Sequence, residues 1–311
     1  MKINPSIGRL RASIASVFIG NDAAIDRVIC CMLARGHILI EDVPGVGKTI
    51  LAASIAKSVE CSFSRVQLTP DMLPADLLGV TIYNRDTGEF VFRRGPIFAN
   101  FILADEINRT TPRTQTALLE AMSEARVSID GTQHTLEPPF MVIATQNPYD
   151  FEGTYPLPEN QLDRFLMRLS LGYPKPEHER QILNTRPATT VLDGVEPVIS
   201  GEELVALQAK TDEVKIDNAI LDYIVGFAAA TRDDDRLRLG LSPRGSLALA
   251  QAARATALFH NRDYVIPEDV LDNIHAVCSH RIVPRATPEG AELTASEHIL
   301  TSIVQSLESP V

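Results

Sequence analysis

Residues 37 to 57, HILIEDVPGVGKTILAASIAK, pass from a short apolar run (His37 to Ile40) through a Pro/Gly loop into an apolar-periodic segment starting at Thr49. Strand, glycine loop and helix in that order admit few folds, because the loop must leave the end of a buried strand and open a helix at once. Gly45 and Gly47 have no Cβ, so the backbone can take positive φ and point successive N–H groups inward at an anion. The helix that follows adds unsatisfied N–H groups and the positive end of its dipole, which favours polyphosphates over neutral ligands.

Lys48 is then set to reach β- and γ-phosphates, and the Thr49 hydroxyl stands where a phosphate-bound Mg²⁺ needs a hard oxygen ligand. The residues expected to surround the nucleotide are Pro44, Gly45, Val46, Gly47, Lys48, Thr49 and Ile50. The full pattern G-x-x-x-x-G-K-[ST] asks for glycine at position 42, where this chain has Asp42. Aspartate enters left-handed backbone space at low cost and Pro44 presets φ inside the loop, so the turn is expected to form.

Four further signals follow in order: ILADE, ATQN, LDRF and SPR. Asp105 and Glu106 end an apolar strand, where Asp105 is suited to hold Mg²⁺ through water and Glu106 to polarise the water attacking a γ-phosphate. A helix cap is the alternative. Asn147 ends the next apolar strand, where an uncharged amide can bond both the γ-phosphate and that water, unless it only forms an Asx-turn before Pro148. Arg164, in QLDRFLMR, is suited to complete the site of an adjacent subunit, with an ion pair to Asp163 or Glu159 as its alternative and Arg168 in reserve. Arg244 opens a helix of the second half and is either a γ-phosphate contact or a surface arginine. Together these residues describe an oligomeric machine driven by ATP and Mg²⁺.

At 311 residues, 45% apolar, the chain is expected to form about two domains. No apolar run approaches the roughly 18 residues of a membrane span and the N-terminus carries no signal-peptide core, so a cytosolic location is expected. Four cysteines without a C-x-x-C pair read as reduced core thiols. His37, His134 and His280 have no partner at metal spacing. A net charge of −11 argues against a sequence-independent nucleic-acid binder.

Strands at 64–68, 101–104 and 140–145 alternate with helical patterns, one of them over 110–126 with Thr110 or Thr111 as cap. They predict a parallel sheet flanked by helices, an α/β nucleotide-binding domain over 1–173. From about 174 the strand signal stops, and helices over the PKPEHERQILN run, from Ser200 (capping box with Glu203), and over 217–231, 244–260 and 267–280 predict a small all-α domain over 174–311. Two hairpins interrupt the first domain near 81–92 and 126–136, as substrate-gripping loops or as edge ribbons.

EDVPGVGKT, LADEINRT, ALLEAMSEARV, ATQNP, EGTYPLPENQLDRF and SPRG resemble the MoxR family of AAA+ ATPases over nearly the whole chain, EGTYPLPE followed by LDRF being the most specific stretch. The resemblance implies a P-loop AAA+ core with a helical lid, and a ring, usually a hexamer, with ATP at subunit interfaces. It assigns Asn147 as sensor 1, Arg164 as arginine finger, Arg244 as sensor 2, and the Ile19–Gly20 pair as an adenine contact. It puts both hairpins near a pore and implies protein clients, with a von Willebrand factor A domain protein as a possible partner. In that family Asp42 belongs to the EDVPG form of the loop. The function expected is a chaperone-like remodeller or activator of protein complexes. The alternatives are a nucleic-acid motor, a slow nucleotide-gated switch and a small-molecule kinase.

Overall fold

The computed structural model describes residues 2–148, 153–185, 191–285 and 292–308. Glu152, the first residue of the EGTYPLPE stretch, lies outside them. The chain opens with two helices that the sequence reading did not assign, α1 (Pro5–Val17) and α2 (Asp22–Leu33). Asn4 caps α1 by accepting from the Ser6 N–H at 3.1 Å, Pro5 occupies its first turn, and Ile7, Leu10, Ile14 and Val17 form its buried stripe. Asn21 caps α2 through the Ala24 N–H at 2.9 Å.

Next come β1 (Ile38–Glu41), α3 (Lys48–Ser58), β2 (Val59–Glu60), β3 (Phe63–Gln67) and α4 (Pro74–Leu78). A hairpin, β4 (Gly79–Asn84) with β5 (Glu89–Arg94), leads to β6 (Phe101–Asp105) and α5 (Pro112–Glu124). A second hairpin, β7 (Arg126–Ile129) with β8 (Thr132–Thr135), precedes β9 (Met141–Gln146), α6 (Glu159–Leu162), β10 (Met167–Leu169) and α7 (Pro176–Thr185). Both expected hairpins form, the first two residues longer at each end than its pattern suggested. Phe92 of the first stacks on His134 of the second at 4.3 Å between ring centroids.

The central sheet runs β10-β1-β9-β6-β3 and every neighbouring pair is parallel. Side chains alternate between two buried faces: Ile38, Ile40, Phe101 and Leu103 pack towards α1, α2 and α3, while Leu39, Ile102, Ala104 and Val142 pack towards α5. In such a sheet the carboxyl ends of the strands form one edge, and Glu41, Gln67, Asp105 and Gln146 all stand on it.

The second half is mainly helical, with helices Gly201–Glu213, Asn218–Asp233, Pro243–Phe259, Pro267–Leu271, Ile274–Cys278 and Glu292–Ser306. Its apolar residues join the same cluster as α1, α2 and α3. Three expectations need correction here. The strand signal does not stop at 174: Ile199–Ser200 pairs with β2, and Leu237–Leu239 pairs with Val283–Pro284. The single helix expected over 267–280 is two, because the Asn273 amide bonds the Asp269 carbonyl (2.7 Å) and the Thr256 hydroxyl (2.8 Å) where the helix would continue. Only half of the capping box forms: Ser200 Oγ accepts from the Glu203 N–H at 3.1 Å, but the Glu203 carboxylate turns to Ser6 and Arg9 of α1. Similarly, Thr111 occupies the cap position of α5 without a side-chain cap bond. Among the described residues no helix is long and apolar enough to cross a membrane.

Candidate active site

β1 delivers the chain into the loop 42–47, and α3 starts at Lys48, one residue before the expected Thr49. Gly45 and Gly47 have φ of +86° and +94°, the left-handed geometry that turns consecutive N–H groups to one side. The first bond inside α3 runs from the Leu51 N–H to the Gly47 carbonyl at 2.9 Å, so the N–H groups of Gly47 to Ile50 are left for a ligand at the helix end. A Cβ added to Gly45 would meet nothing within 4 Å. The Lys48 ammonium donates to the Asp42 carbonyl at 2.7 Å. Burial lowers its pKa, against the pull of Asp42, Asp105, Glu106 and Glu41, and those four carboxylates locate it at the centre of the edge.

Asp42 departs from its expected role. Its φ is not positive, so left-handed tolerance is not what admits it. Instead its carboxylate collects donors: Oδ2 accepts from Ser170 Oγ (3.0 Å) and from the Leu171 and Gly172 N–H groups (2.7 Å each), and Oδ1 from the Val43 N–H (2.9 Å).

Asp105 ends β6, and the β6–β9 register sets it beside Thr145, whose hydroxyl donates to Asp105 Oδ1 at 3.0 Å. The other oxygen accepts from Arg65 Nε at 2.8 Å. Glu106 follows in left-handed conformation (φ 58°), its N–H donating to Thr145 Oγ1 at 3.0 Å. Its carboxylate accepts from Gln67 Nε2 at 2.8 Å and pairs with Arg109 Nε at 3.1 Å. Glu106 makes no side-chain cap bond, which removes the helix-cap alternative. A non-glycine residue in that region carries strain of about 1 kcal/mol or more, offset here by three anchoring partners.

Asn147 continues β9 and is buried at 8% exposure. Arg164 Nη1 donates to the Leu119 carbonyl (2.7 Å) and to Ser123 Oγ (3.1 Å), both in the C-terminal half of α5. The ion-pair partners considered for it are engaged elsewhere, Asp163 with Arg281 (2.7 Å) and Arg244 (3.9 Å), Glu159 with Arg238 (2.8 Å). Arg168 forms a buried ion pair with Glu41. Arg244 is exposed at the start of the helix Pro243–Phe259.

Beside the loop lies a mainly apolar pocket. Ile19, Gly20, Gly45, Val46, Gly47 and Ile50 line it, together with Leu171, Gly172, Pro174 and Ile182. Pro44 is not among its lining residues. The last four gave no signal in the sequence, since each meets the pocket only through folding; nor did Arg65 and Gln67, which hold the two carboxylates. Glycine N–H groups, a lysine and a helix N-terminus on one edge fit a polyphosphate, and the oxygens of Thr49 and Asp105 fit a hard divalent cation. Among the described residues no group of three histidine, cysteine or carboxylate side chains gathers as a metal cage. Three of the four cysteines are buried, and burial pushes Cys30 and Cys278 up to about 12, as expected of core thiols.

Known proteins place this arrangement. Residues 37–167 match the model of the ATPase family associated with various cellular activities, AAA, and residues 229–303 match the AAA lid domain. A Mycobacterium tuberculosis protein named Chaperone MoxR1 is 40% identical over 94% of this chain and 80% of its own length. The chain belongs to the MoxR family of AAA ATPases. Another relative, the uncharacterized protein YeaC of Bacillus subtilis, is 46% identical over 99% of this chain and 96% of its own. A crystal structure of a candidate ATPase from Cytophaga hutchinsonii superposes with a TM-score of 0.89 at 36% identity, covering 98% of this chain and 94% of that one. The MoxR assignment agrees with the P-loop core and helical lid expected from the sequence.

Proposed function

We propose that this MoxR-family chain hydrolyses ATP as one subunit of a homo-oligomeric ring, a hexamer, and uses the cycle to remodel or activate partner protein complexes in the cytosol. Glu106 is the observation that favours hydrolysis over binding alone. A carboxylate held at the strand-end edge by Gln67, Arg109 and its own strained backbone is oriented for a task rather than for packing. In this reading Lys48 and the loop N–H groups grip the β- and γ-phosphates, Glu106 takes the proton of the attacking water, and Asn147 orients that water. Mg²⁺, held by Thr49 and through water by Asp105, would neutralise charge on the phosphate oxygens.

Arg164 supports a shared site. Its guanidinium is anchored on the C-terminal half of α5 by the Leu119 carbonyl and Ser123 Oγ, and the role proposed for it is at a neighbour's γ-phosphate. Arg244 is proposed to sense the γ-phosphate from the lid. The name of the M. tuberculosis relative supports protein clients, and the family resemblance supports a partner with a von Willebrand factor A domain. Glu106→Gln tests the chemistry: turnover should fall by about 10²-fold or more while ADP affinity is kept. Undiminished turnover would sink it. DNA should not stimulate the rate.

A further inference from the structure

We infer that Asp42 is a positioning residue that sets base recognition, by locking the phosphate loop to the wall of the base pocket; this rests on the nucleotide-site reading above. Three observations converge. The position does not need glycine, because φ there is not positive, so the aspartate is not a tolerated defect in the loop pattern. One carboxylate oxygen accepts three hydrogen bonds from Ser170, Leu171 and Gly172 at 2.7 to 3.0 Å, and the other holds Val43 at 2.9 Å. Leu171 and Gly172 line the pocket that also contains Ile19, Gly45 and Gly47.

The two sides of that pocket have different origins. Gly45 and Gly47 belong to the loop after β1, while Leu171 and Gly172 belong to the segment leaving β10. β1 and β10 pair in the sheet only as far as Ile40 and Leu169. Beyond that point Asp42 joins the two exits, and Gly172 is turned into left-handed geometry (φ +66°) beside it. Charge-assisted bonds to N–H groups are short and strong, and three at one oxygen fix the wall in rotation as well as distance. A glycine at 42 can make the loop but cannot make this lock. The phosphate cradle, built from Gly45, Gly47 and α3, is tied to this position through the Asp42 carbonyl that Lys48 bonds, which a glycine keeps, and through the carboxylate charge, which both the glycine and the asparagine variant remove.

Restoring the full loop pattern with Asp42→Gly is therefore expected to harm binding selectively. The dissociation constants of ADP and of inorganic tripolyphosphate, which has no base, are to be measured by calorimetry for wild type, Asp42→Gly and Asp42→Asn, with melting temperature to confirm folding. The expected result is about tenfold weaker ADP binding in Asp42→Gly, a smaller loss in Asp42→Asn, which keeps one acceptor oxygen, and tripolyphosphate binding within about twofold of wild type. Equal losses for both ligands in a folded Asp42→Gly would overturn the inference, since the residue would then only shape the cradle. Unchanged ADP binding would overturn it too. If wild type shows no ADP binding, the pocket is not a base site and the nucleotide-site reading falls with the inference.

Discussion

At the residue scale, the phosphate loop shows what a single chain position can and cannot announce. Gly45, Gly47, Lys48 and Thr49 were legible because their chemistry is local: the bond pattern and the helix start depend on residues within one turn. Asp42 was visible as a departure but not as a lock, because its partners lie about 130 residues away. The same holds for Arg65 and Gln67, which reach Asp105 and Glu106 only through the β3–β6 register. The loop yields a sharp prediction. In Gly45→Ala the new Cβ has room but must sit at φ +86°, a strain of about 1 kcal/mol that works against the left-handed turn aiming the loop N–H groups. The melting temperature should shift by only a few degrees, while nucleotide affinity measured by fluorescence titration falls more than tenfold. Retained affinity would mean the phosphates lie elsewhere.

At the element scale, the sheet strands and both hairpins could be read from apolar runs and turn residues, whereas α1 and α2 were missed although their signals were present. Asn4-Pro5 is a cap followed by a first-turn proline, and Ile7, Leu10 and Ile14 recur at helical spacing. Reading the N-terminus for a signal-peptide core passes over that spacing. The split at Asp272–Asn273 had no such signal, since it follows from the fit of Asn273 against Thr256 of another helix. His37 ties elements together in a way that pH should reveal. Its Nδ1 accepts from the Val142 N–H at 2.9 Å, so Nε2 donates to the Met122 carbonyl at 3.0 Å, joining the start of β1 to α5 and β9. Burial pushes this imidazole down to about 4. Between about pH 6.5 and pH 4 the unfolded chain therefore binds a proton that the folded chain refuses, and stability falls as pH falls through that window, by up to about 1.4 kcal/mol per unit. Urea unfolding at pH 7 and pH 5 should show His37→Gln less stable at pH 7 but with a flatter acid dependence. Some dependence should survive, because burial lowers the buried His280 as well. Identical slopes in variant and wild type would contradict this account of His37.

At the scale of the whole molecule, the helical half is joined to the sheet by more than the chain. Arg281, almost fully buried, donates to Asp163 Oδ1 (2.7 Å), the Phe165 carbonyl (2.6 Å) and the Leu166 carbonyl (3.0 Å) of the segment carrying Arg164. Asp163 also faces Arg244 at 3.9 Å. Of the two arginines proposed to read the γ-phosphate, Arg244 thus faces Asp163 from the lid and Arg164 is the next residue in the chain. None of this was legible beforehand, because Arg281 lies 118 residues from Asp163 and no periodicity marks it. The central claim, that catalytic sites are shared between subunits, is tested most directly by ATPase rate per subunit against protein concentration, for wild type and for a mixture of Arg164→Ala with Lys48→Ala. A rate that climbs with concentration, and partial recovery when the two inactive variants are mixed, is the predicted result; a flat rate with no recovery would mean that each chain works alone.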